Sequence, residues 1–393
     1  MNQSKIIGSV QRICIVTETF APEVNGVAHT LSQLCMGLKR RGIALHVIRP
    51  SQTPEELKQP PLDTTCIRGL PVPGYPELKF GLPQYAKIKQ ALREFDPDAI
   101  YIATEGPLGL CALVAAKQLR INAVSGFHTN FHEYTAHYGV RLIKNITAAY
   151  LRVFHNHTKT NFVPTKQMQQ VLSNQGFKQL CIMSRGIDSR HFNPEKRSNQ
   201  LRASWGVKSD EPVLLYVGRM AAEKNIGLVA ASYRAQLKNH PDLKLVMVGD
   251  GPLKTELEQQ IPEALFVGVK RGDELAQIYA SADIFLFASL SETFGNVVTE
   301  AMSSGLAVVG YDDAALAELG VHHHNAVIAP KANAEQFISN LTELLSQPEL
   351  IAKIGTNAQA TCQNRSWQRI SDQFYFDVQR ACTGQTTGET YGI

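Results

Sequence analysis

The sequence predicts an α/β protein built from two doubly wound domains, and three observations support this. A chain of 393 residues is too long for one ordinary core. Hydrophobic residues make up 44% and charged residues 19%, which is typical of a globular protein. Short apolar runs alternate with helical patterns, and this alternation pauses near residue 190 and restarts at Pro212. Strands separated by helices predict βαβ units and parallel sheets.

The first half contains five short apolar runs, each of strand length and bounded by polar or glycine residues. A helical pattern after the first run extends from Ala28 to Arg41 and ends at Gly42, a residue type that commonly terminates helices. The five predicted strands are Arg12–Thr19, Ile43–Arg49, Ala99–Ala103, Asn122–Phe127 and Asn161–Val163.

The second half repeats the pattern after a polar segment, Asp188–Lys208, which is predicted to be a linker. Its predicted strands are Val213–Val217, Lys244–Val248, Leu265–Val267, Ile284–Phe287 and Ala307–Gly310. Its predicted helices are Ile226–Leu237, Leu253–Gln260, Asp273–Ser281 and Asn296–Ser304. The expected domains are therefore residues 1–190 and 191–366, followed by a helix over 367–383 and a flexible tail over 384–393.

Composition narrows the function classes. No stretch approaches the length of about 20 apolar residues that a membrane span needs, and the N-terminus lacks a signal-peptide pattern, so a cytoplasmic location is expected. The seven scattered cysteines favour neither a disulfide framework nor a zinc site. Residues 1–190 carry 22 Lys and Arg against 12 Asp and Glu, whereas the remainder carries 17 against 23. This asymmetry is either incidental or indicates a basic domain that faces an anionic surface.

The strongest candidate site lies in the segment SLSETFGNVVTEAMSSG at 289–305. Glu292 lies in the loop after a predicted strand, and Glu300 lies in the early turns of the following helix. A carboxylate can accept two hydrogen bonds from vicinal sugar hydroxyls, and amides at a helix N-terminus favour anions. The alternative is a purely structural role, with Ser291 or Glu292 as the helix cap.

A pair of cations forms the second candidate site. Arg219 follows strand Val213–Val217, and Lys224 lies five residues further on. Cations at the carboxyl end of a strand are well placed to neutralise a diphosphate and the charge that grows on it as a leaving group. The alternative is an exposed ion pair between Arg219 and Glu223.

Three weaker signals also lie at predicted strand ends. Asn25 and Gly26 open a helix whose backbone amides could approach a phosphate. His128 follows another strand and could orient a sugar or an acceptor hydroxyl, although a lone histidine is often structural. Gly249 allows a turn near a nucleotide, with a plain turn as the alternative. The chain contains neither the dinucleotide-binding fingerprint nor a P-loop.

Three further segments carry residue types that metal or membrane sites use. Asp96 and Asp98 imitate a metal-binding pair but lie at the wrong edge of the sheet, so no metal site is predicted there. His322–His324 are interpreted as a solvated loop. The segment 137–159 is basic and amphipathic and contains no acid, so it is either a membrane-surface helix or a core helix with a basic outer face.

Together these motifs resemble the family 4 retaining glycosyltransferases, over nearly the whole chain. The spacing Glu292-x7-Glu300 is the most specific match, and PEVNGVAHTL, FHTNFHEY and SETFGNVVTEAM are most similar to bacterial lipid mannosyltransferases and sulfolipid synthases. The resemblance implies a GT-B fold, with two Rossmann-like domains facing a central cleft. It also implies retention of anomeric configuration and no metal or other cofactor. Many relatives have Gly-Gly where this chain has Asn25-Gly26.

The resemblance also implies residue roles. Arg219 and Lys224 would hold the diphosphate of a GDP- or UDP-hexose, with Gly26, Asn25 and Gly249 near the nucleotide. Glu300 would bind the ribose, and Glu292 would bind sugar hydroxyls. His128 would sit at the reacting centre. The backbone that completes the donor site would be Phe294, Gly295, Asn296 and Val297.

The function expected from the resemblance is hexose transfer, of mannose or glucose, to a membrane lipid or lipid-linked glycan. The expected location is the cytoplasm, either free or peripheral on the inner face of the plasma membrane, with contact to anionic lipid through the basic N-terminal domain. No nucleic acid partner is expected. The alternatives are the same fold acting on a soluble acceptor, a nucleotide-sugar epimerase and a non-catalytic binding module.

Overall fold

The chain folds into two units, seen in a computed structural model that describes residues 9–23, 25–72, 75–128, 141–208 and 211–384. One unit comprises Met1–Arg185 together with Trp367–Ile393, and the other comprises Gly186–Ser366. The chain passes from the first unit to the second after Arg185, whereas the sequence predicts the domain boundary after residue 190.

The first unit is built on a seven-stranded parallel sheet. The strands of this unit are β1 Arg12–Val16, β2 Ala44–Pro50, β3 Thr64–Ile67, β4 Gly69–Val72, β5 Tyr75–Gly81, β6 Ala99–Ile102, β7 Asn122–Gly126, β8 Asn161–Val163 and β9 Leu180–Ile182. The strand order of the sheet is β3-β2-β1-β6-β7-β8-β9, and β4 and β5 form a separate antiparallel pair. The central strands are apolar because helices cover both of their faces.

The helices of the first unit follow the strands in sequence. They are Gly26–Arg40, Tyr85–Phe95, Pro107–Leu119, Arg141–Asn156, Lys166–Asn174 and Trp367–Thr383, with a 3-10 turn at Glu55–Leu57. The last helix packs against the first one through a close approach at Gly37, where an added Cβ would lie 2.1 Å from Oγ of Ser371. Residues 367–384 thus return to the first unit after the chain has formed the second.

The second unit is built on a six-stranded parallel sheet. Its strands are β10 Val213–Val217, β11 Lys244–Val248, β12 Leu265–Gly268, β13 Ile284–Phe287, β14 Ala307–Tyr311 and β15 Val327–Ala329. They lie in the order β12-β11-β10-β13-β14-β15. The helices are Asn199–Ser204, Ile226–Leu237, Lys254–Gln260, Gly272–Ser281, Asn296–Ser303, Ala314–Leu319, Ala334–Leu345 and Pro348–Cys362, with 3-10 turns at Pro194–Lys196 and Ala222–Lys224.

The predicted linker Asp188–Lys208 is folded onto the second unit, which differs from the prediction. Arg202 is buried and donates to Oδ2 of Asp283 at 2.9 Å, and Arg197 donates to Oδ1 of the same residue at 2.8 Å. The polar composition of the segment therefore reflects an anchored structure around Asp283 and not a free connection.

Each sheet has one point where the strand order reverses. In the first sheet this point lies between β1 and β6, and in the second it lies between β10 and β13. Ligands of open parallel sheets bind beyond the carboxyl ends of the strands at such points. Asp98, by contrast, lies at the opposite edge, where its Oδ2 accepts hydrogen bonds from the backbone amides of Gln11 and Arg12.

In the described part of the chain, none of the helices combines the length and the apolar character that crossing a membrane requires.

Candidate active site

The second unit gathers its candidate residues around the reversal point between β10 and β13. Arg219 follows β10 after Gly218, and its backbone carbonyl accepts a hydrogen bond of 2.9 Å from the buried Tyr216 hydroxyl. Tyr216 therefore holds the backbone at the point where the Arg219 side chain leaves the sheet. The burial of Tyr216, together with the nearby Glu292 and Glu223 carboxylates, raises the pKa of its phenol.

Lys224 and Glu292 form an ion pair across this reversal point. Nζ of Lys224 lies within hydrogen-bond distance of Oε1 of Glu292, and both side chains are largely shielded from solvent. Lys224 ends the 3-10 turn Ala222–Lys224, and Glu292 lies in the loop after β13. The two residues come together because β10 and β13 are neighbours in the sheet.

Arg219 and Glu223 form the alternative ion pair that the sequence suggested, with 3.8 Å between Nη1 and Oε1. This separation is longer than a hydrogen bond, and the pair is partly exposed. Such a pair contributes well under 1 kcal/mol to stability.

Glu300 is the second carboxylate of the site and has a buried tyrosine as its partner. Tyr279 lies on helix Gly272–Ser281, is fully buried, and donates a hydrogen bond of 2.9 Å to Oε2 of Glu300. Burial raises the pKa of Glu300 to about 7, and the Tyr279 hydrogen bond acts in the opposite direction. This hydrogen bond uses one oxygen of the Glu300 carboxylate, and it fixes the orientation of the other oxygen.

The helix that carries Glu300 begins at Asn296, and its N-cap residue is Gly295 with φ +86°. The N-cap position belongs to Gly295, which has no side chain, and not to Ser291 or Glu292 as in the structural alternative. Amides at a helix N-terminus are suited to anions or sugar oxygens. Phe294 is buried beneath this turn, and Asn296 and Val297 are partly exposed.

Glycine is required at two turns of the second unit. A Cβ on Gly249 would lie 1.9 Å from the carbonyl oxygen of Gly218, so the loop after β11 can approach the loop after β10 only without a side chain. A Cβ on Gly295 would lie 2.9 Å from the Phe287 ring. Both glycines bring backbone close to the carboxyl end of the sheet.

In the first unit, Asn25 caps the helix Gly26–Arg40 with its own side chain. Its Oδ1 accepts from the amides of Val27 at 3.1 Å and Ala28 at 2.9 Å, and its φ is −151°. Its Nδ2 donates to Oγ1 of Thr19 at 2.7 Å. The Asn25 side chain thus occupies amides that the sequence suggested for phosphate.

His128 lies two residues after β7 and is buried between Tyr101 and Arg185. Its Nε2 lies 2.6 Å from the Tyr101 hydroxyl, and its Nδ1 lies 3.2 Å from Nη2 of Arg185. Burial and the Arg185 charge lower the pKa of His128 well below its ordinary value. Both ring nitrogens therefore have protein partners.

The predicted site residues fall into two groups. The second unit brings together Arg219, Lys224, Gly249, Glu292, Phe294, Gly295, Asn296, Val297 and Glu300 at or near the carboxyl edge of its sheet. The first unit carries Asn25, Gly26 and His128 on loops that follow β1 and β7.

Sequence reasoning missed Tyr279, Tyr101 and Arg185. Tyr279 and Tyr101 lie within a helix and a strand, where an aromatic residue is usually core, and no local signal marks them. Arg185 follows the three-residue strand β9, which was not predicted. Had that strand been found, the position of Arg185 at a strand end could have identified it.

Two family models match nearly the whole chain. The model described as Glycosyltransferase Family 4 matches residues 24–191, and the model described as Glycosyl transferases group 1 matches residues 197–361. The boundary between them lies close to the boundary between the two units.

Curated relatives extend this similarity. A GDP-mannose-dependent alpha-mannosyltransferase of Mycobacterium tuberculosis is 30% identical over 370 residues, covering 92% of this chain and 94% of the relative. An alpha-monoglucosyldiacylglycerol synthase of Acholeplasma laidlawii is 27% identical over 373 residues, covering 88% of this chain and 92% of the relative.

Among solved structures, Anabaena HepE in complex with UDP superposes with a TM-score of 0.76 at 20% identity, covering 93% of this chain and 99% of HepE. With the two parallel sheets and their strand orders, this likeness defines a glycosyltransferase of the GT-B fold. The chain belongs to glycosyltransferase family 4.

Proposed function

We propose that this enzyme transfers a hexose, of mannose or glucose type, from a nucleotide diphosphate sugar to a membrane lipid or a lipid-linked glycan. Transfer proceeds with retention of the anomeric configuration and without a metal ion. The donor that we would test first is GDP-mannose, followed by UDP-glucose. The enzyme works in the cytoplasm, peripherally on an anionic membrane.

The similarity to the M. tuberculosis mannosyltransferase carries this proposal, because it spans 94% of that relative at 30% identity. That relative is described as using GDP-mannose and forming an alpha linkage. GDP-mannose itself is alpha-linked, so an alpha product supports retention. The diacylglycerol in the name of the A. laidlawii relative supports a lipid acceptor.

The cations at the reversal point of the second sheet supply the charge that the reaction needs. As the bond from the anomeric carbon to the diphosphate breaks, negative charge grows on the departing oxygen. Arg219 and Lys224 stabilise that charge, and fixed cations in a shielded site cost no reorganisation as the bond breaks. Because two side-chain cations are available, no metal ion is needed for this step.

The proposed transfer step is a direct attack on the anomeric carbon and needs no covalent enzyme intermediate. The acceptor hydroxyl oxygen forms a bond to the anomeric carbon on the face from which the diphosphate leaves. The hydroxyl proton passes to the departing diphosphate oxygen. The products are the glycosylated acceptor and the nucleoside diphosphate.

The carboxylates and the helix N-terminus hold the rest of the donor. Glu300 accepts from the ribose hydroxyls through the oxygen that Tyr279 leaves available. Glu292 and the backbone of Phe294, Gly295, Asn296 and Val297 bind sugar hydroxyls, and the Lys224 ion pair fixes the Glu292 carboxylate. Gly249 allows close approach of the nucleotide. Roles for His128 toward the sugar, and for Asn25 and Gly26 toward the diphosphate, are proposed from the family resemblance alone.

The helix Arg141–Asn156 of the first unit provides the protein surface that contacts the membrane. Its inner side is buried through Leu151, Phe154 and His155, whereas Ile146 and Val153 are 61% and 58% exposed. These two side chains are seven residues apart and so share one face of the helix. A solvent-exposed apolar face of this kind can enter the boundary between lipid headgroups and acyl chains.

The charge around this helix fits an anionic membrane. Residues 106–187 contain nine Lys and Arg residues and one acidic residue, Glu133. Arg152 on this helix and Lys117 on the helix Pro107–Leu119 are exposed. Each basic residue near an anionic surface contributes about 1 kcal/mol of attraction.

The test is transfer of radiolabelled sugar from GDP-mannose or UDP-glucose into the organic phase of a membrane lipid extract. We expect organic-soluble label with one donor, retained activity after chelation of divalent metal, and an alpha-linked product by NMR. Lys224→Ala abolishes the label, whereas Lys238→Ala, at an exposed position of the same unit, leaves it unchanged. Label only in water-soluble products would instead favour a soluble acceptor.

A further inference from the structure

Three buried side chains of the first unit form a hydrogen-bonded row: Tyr101, His128 and Arg185. Tyr101 lies on β6 and is fully buried, His128 follows β7, and Arg185 follows β9. The hydroxyl of Tyr101 lies 2.6 Å from Nε2 of His128, and Nη2 of Arg185 lies 3.2 Å from Nδ1.

The chemistry of the two partners determines which nitrogen of His128 carries the proton. A guanidinium group has only donors and stays protonated in proteins, so Nδ1 must accept the hydrogen bond from Arg185. A neutral imidazole whose Nδ1 accepts carries its proton on Nε2. The Nε2 proton is then donated to the oxygen of Tyr101.

Arg185 is buried, and hydrogen bonds fix the position of its guanidinium group. Its Nη1 donates to the carbonyl oxygen of Met183 at 2.8 Å, which fixes the guanidinium. In the described part of the chain, no acidic side chain forms an ion pair with Arg185. Among these residues the positive charge is therefore not paired with a carboxylate, and it disfavours a second positive charge on His128.

We infer that Arg185 is a positioning residue that holds His128 as the neutral tautomer with its proton on Nε2. The imidazole then acts by its place and shape, and it serves neither as a general acid nor as a cation. This inference rests on the proposed function, because it gives His128 its role beside the donor sugar. The lowered pKa of His128 agrees with it.

Three described groups that face His128 or its partners bear on its protonation state. Tyr101 faces His128 from β6, and its burial raises the pKa of its phenol, so it stays protonated. Arg185 faces it from the segment after β9, and burial lowers the pKa of its guanidinium to about 10. Glu105, which follows β6, acts on Tyr101 through its charge. None of these groups gives His128 a second proton near neutral pH.

The direct test is a long-range proton–nitrogen correlation spectrum of the full-length protein with labelled histidine, and a His128→Asn variant identifies the signal. We expect a protonated Nε2 and an unprotonated Nδ1 for His128, unchanged between about pH 5.5 and 8.5. A proton on Nδ1, or a signal that titrates in this range, would overturn the inference. The spectrum requires no donor or acceptor, so it can succeed even if the proposed function fails.

Variants separate positioning from packing. Arg185→Met removes the donor and the charge, so His128 titrates or changes tautomer. The kcat then falls about tenfold or more and becomes sensitive to low pH, with a smaller change in donor KM. Arg185→Lys restores a charged donor and recovers the wild-type pH profile. An unchanged tautomer and pH profile in Arg185→Met would contradict the inference.

A matched variant that changes the partner of the other ring nitrogen, Nε2, keeps the test decisive if Arg185→Met does not fold. Tyr101→Phe removes the partner of Nε2 and leaves Arg185 in place, so the proton stays on Nε2. A change of tautomer in Tyr101→Phe would show that Tyr101, and not Arg185, sets the state of His128. That result would overturn the inference.

Discussion

Tyr279 donates a hydrogen bond of 2.9 Å to Oε2 of Glu300, and this contact opposes the effect of burial on the carboxyl group. Burial disfavours the charged form and raises the pKa of Glu300 to about 7, whereas the tyrosine donor favours the charged form. In the proposed donor site, Glu300 binds the ribose as an ionised carboxylate. Tyr279 therefore tunes donor binding without touching the donor.

The first prediction concerns the pH dependence of donor binding. The ionised form of Glu300 is lost as pH falls through about 7, so donor affinity of the wild type falls over the same range. Tyr279→Phe removes the group that lowers the pKa of Glu300, and the midpoint of the affinity profile moves to higher pH. Isothermal titration with the nucleoside diphosphate at several pH values measures both profiles.

The control for this prediction is Tyr233→Phe in the same unit, since the Tyr233 hydroxyl donates to the carbonyl oxygen of Leu243 and not to a carboxylate. Its midpoint is expected to match the wild type. An identical midpoint in Tyr279→Phe and the wild type would show that the tyrosine contact does not tune Glu300.

The second prediction concerns the ion pair between Lys224 and Glu292. Lys224→Ala removes a charge that the transition state needs, so kcat falls by roughly 10²–10³-fold. Glu292→Ala removes the contact to the sugar hydroxyls and leaves Lys224 without this partner, so transfer is also lost. Circular dichroism of both variants remains that of the wild type, because the pair lies in loops at the sheet edge. Wild-type turnover in either variant would refute the role of that residue.

How far the sequence predicted these features depends on the range of the interactions involved. Strands β8, β10, β11 and β13 match their predicted bounds, because central strands of a parallel sheet are continuous apolar runs. Strands β9 and β15 are short strands at the edges of their sheets, and the sequence does not predict them.

The candidate site also has features that local sequence patterns predict and features that they do not. The positions of Arg219 and Glu292 follow from strand ends, which the sequence marks. The contact between Lys224 and Glu292 joins residues 68 positions apart, and it depends on strand order, which no local pattern encodes. The helix cap shows a similar limit: the sequence indicates that Asn25 lies at the start of a helix, but it does not indicate that the Asn25 side chain accepts hydrogen bonds from the amides of Val27 and Ala28.

The third prediction uses two glycines of the second unit as a matched pair. Gly249→Ala places a Cβ 1.9 Å from the carbonyl oxygen of Gly218, and φ at this position is +135°, so the loops after β10 and β11 must separate. We expect a loss of thermal stability and of nucleotide affinity. Gly227 has nothing within 4 Å of its added Cβ and lies in helix Ile226–Leu237. Gly227→Ala therefore raises the free energy of unfolding by about 0.5–1 kcal/mol.

Thermal unfolding with and without nucleoside diphosphate checks this pair. The ligand is expected to raise the midpoint of Gly227→Ala as much as that of the wild type, and to raise that of Gly249→Ala much less. Equal ligand-induced shifts in the two variants would remove the argument that the Gly249 turn borders the nucleotide.

The fourth prediction concerns the carboxyl group of Glu18, a partly buried residue of the first unit. Burial raises the pKa of Glu18 to about 7, although its carboxylate accepts hydrogen bonds from the amides of Gly81 and Leu108. The folded state therefore holds a proton that the unfolded state releases at lower pH, and stability falls as pH rises from about 4.5 to about 7. Glu18→Gln removes this titration, and its thermal midpoint changes less over the same interval.

Glu55→Gln is the control for this measurement, because Glu55 is exposed in the same unit. It is expected to keep the wild-type dependence of the thermal midpoint on pH. A wild-type dependence in Glu18→Gln as well would assign the effect to other groups.

The last prediction concerns the surface of helix Arg141–Asn156. Ile146 and Val153 share its exposed apolar face, so the double variant Ile146→Ser/Val153→Ser is expected to weaken binding to phosphatidylglycerol-containing vesicles about tenfold or more. Arg152→Glu weakens it as well, and added salt reduces wild-type binding because the attraction is partly electrostatic. Val171→Ser is the matched control, since Val171 is also exposed but lies on a different helix, Lys166–Asn174. Vesicle sedimentation measures binding, and equal loss in the control would show that this helix is not the docking surface.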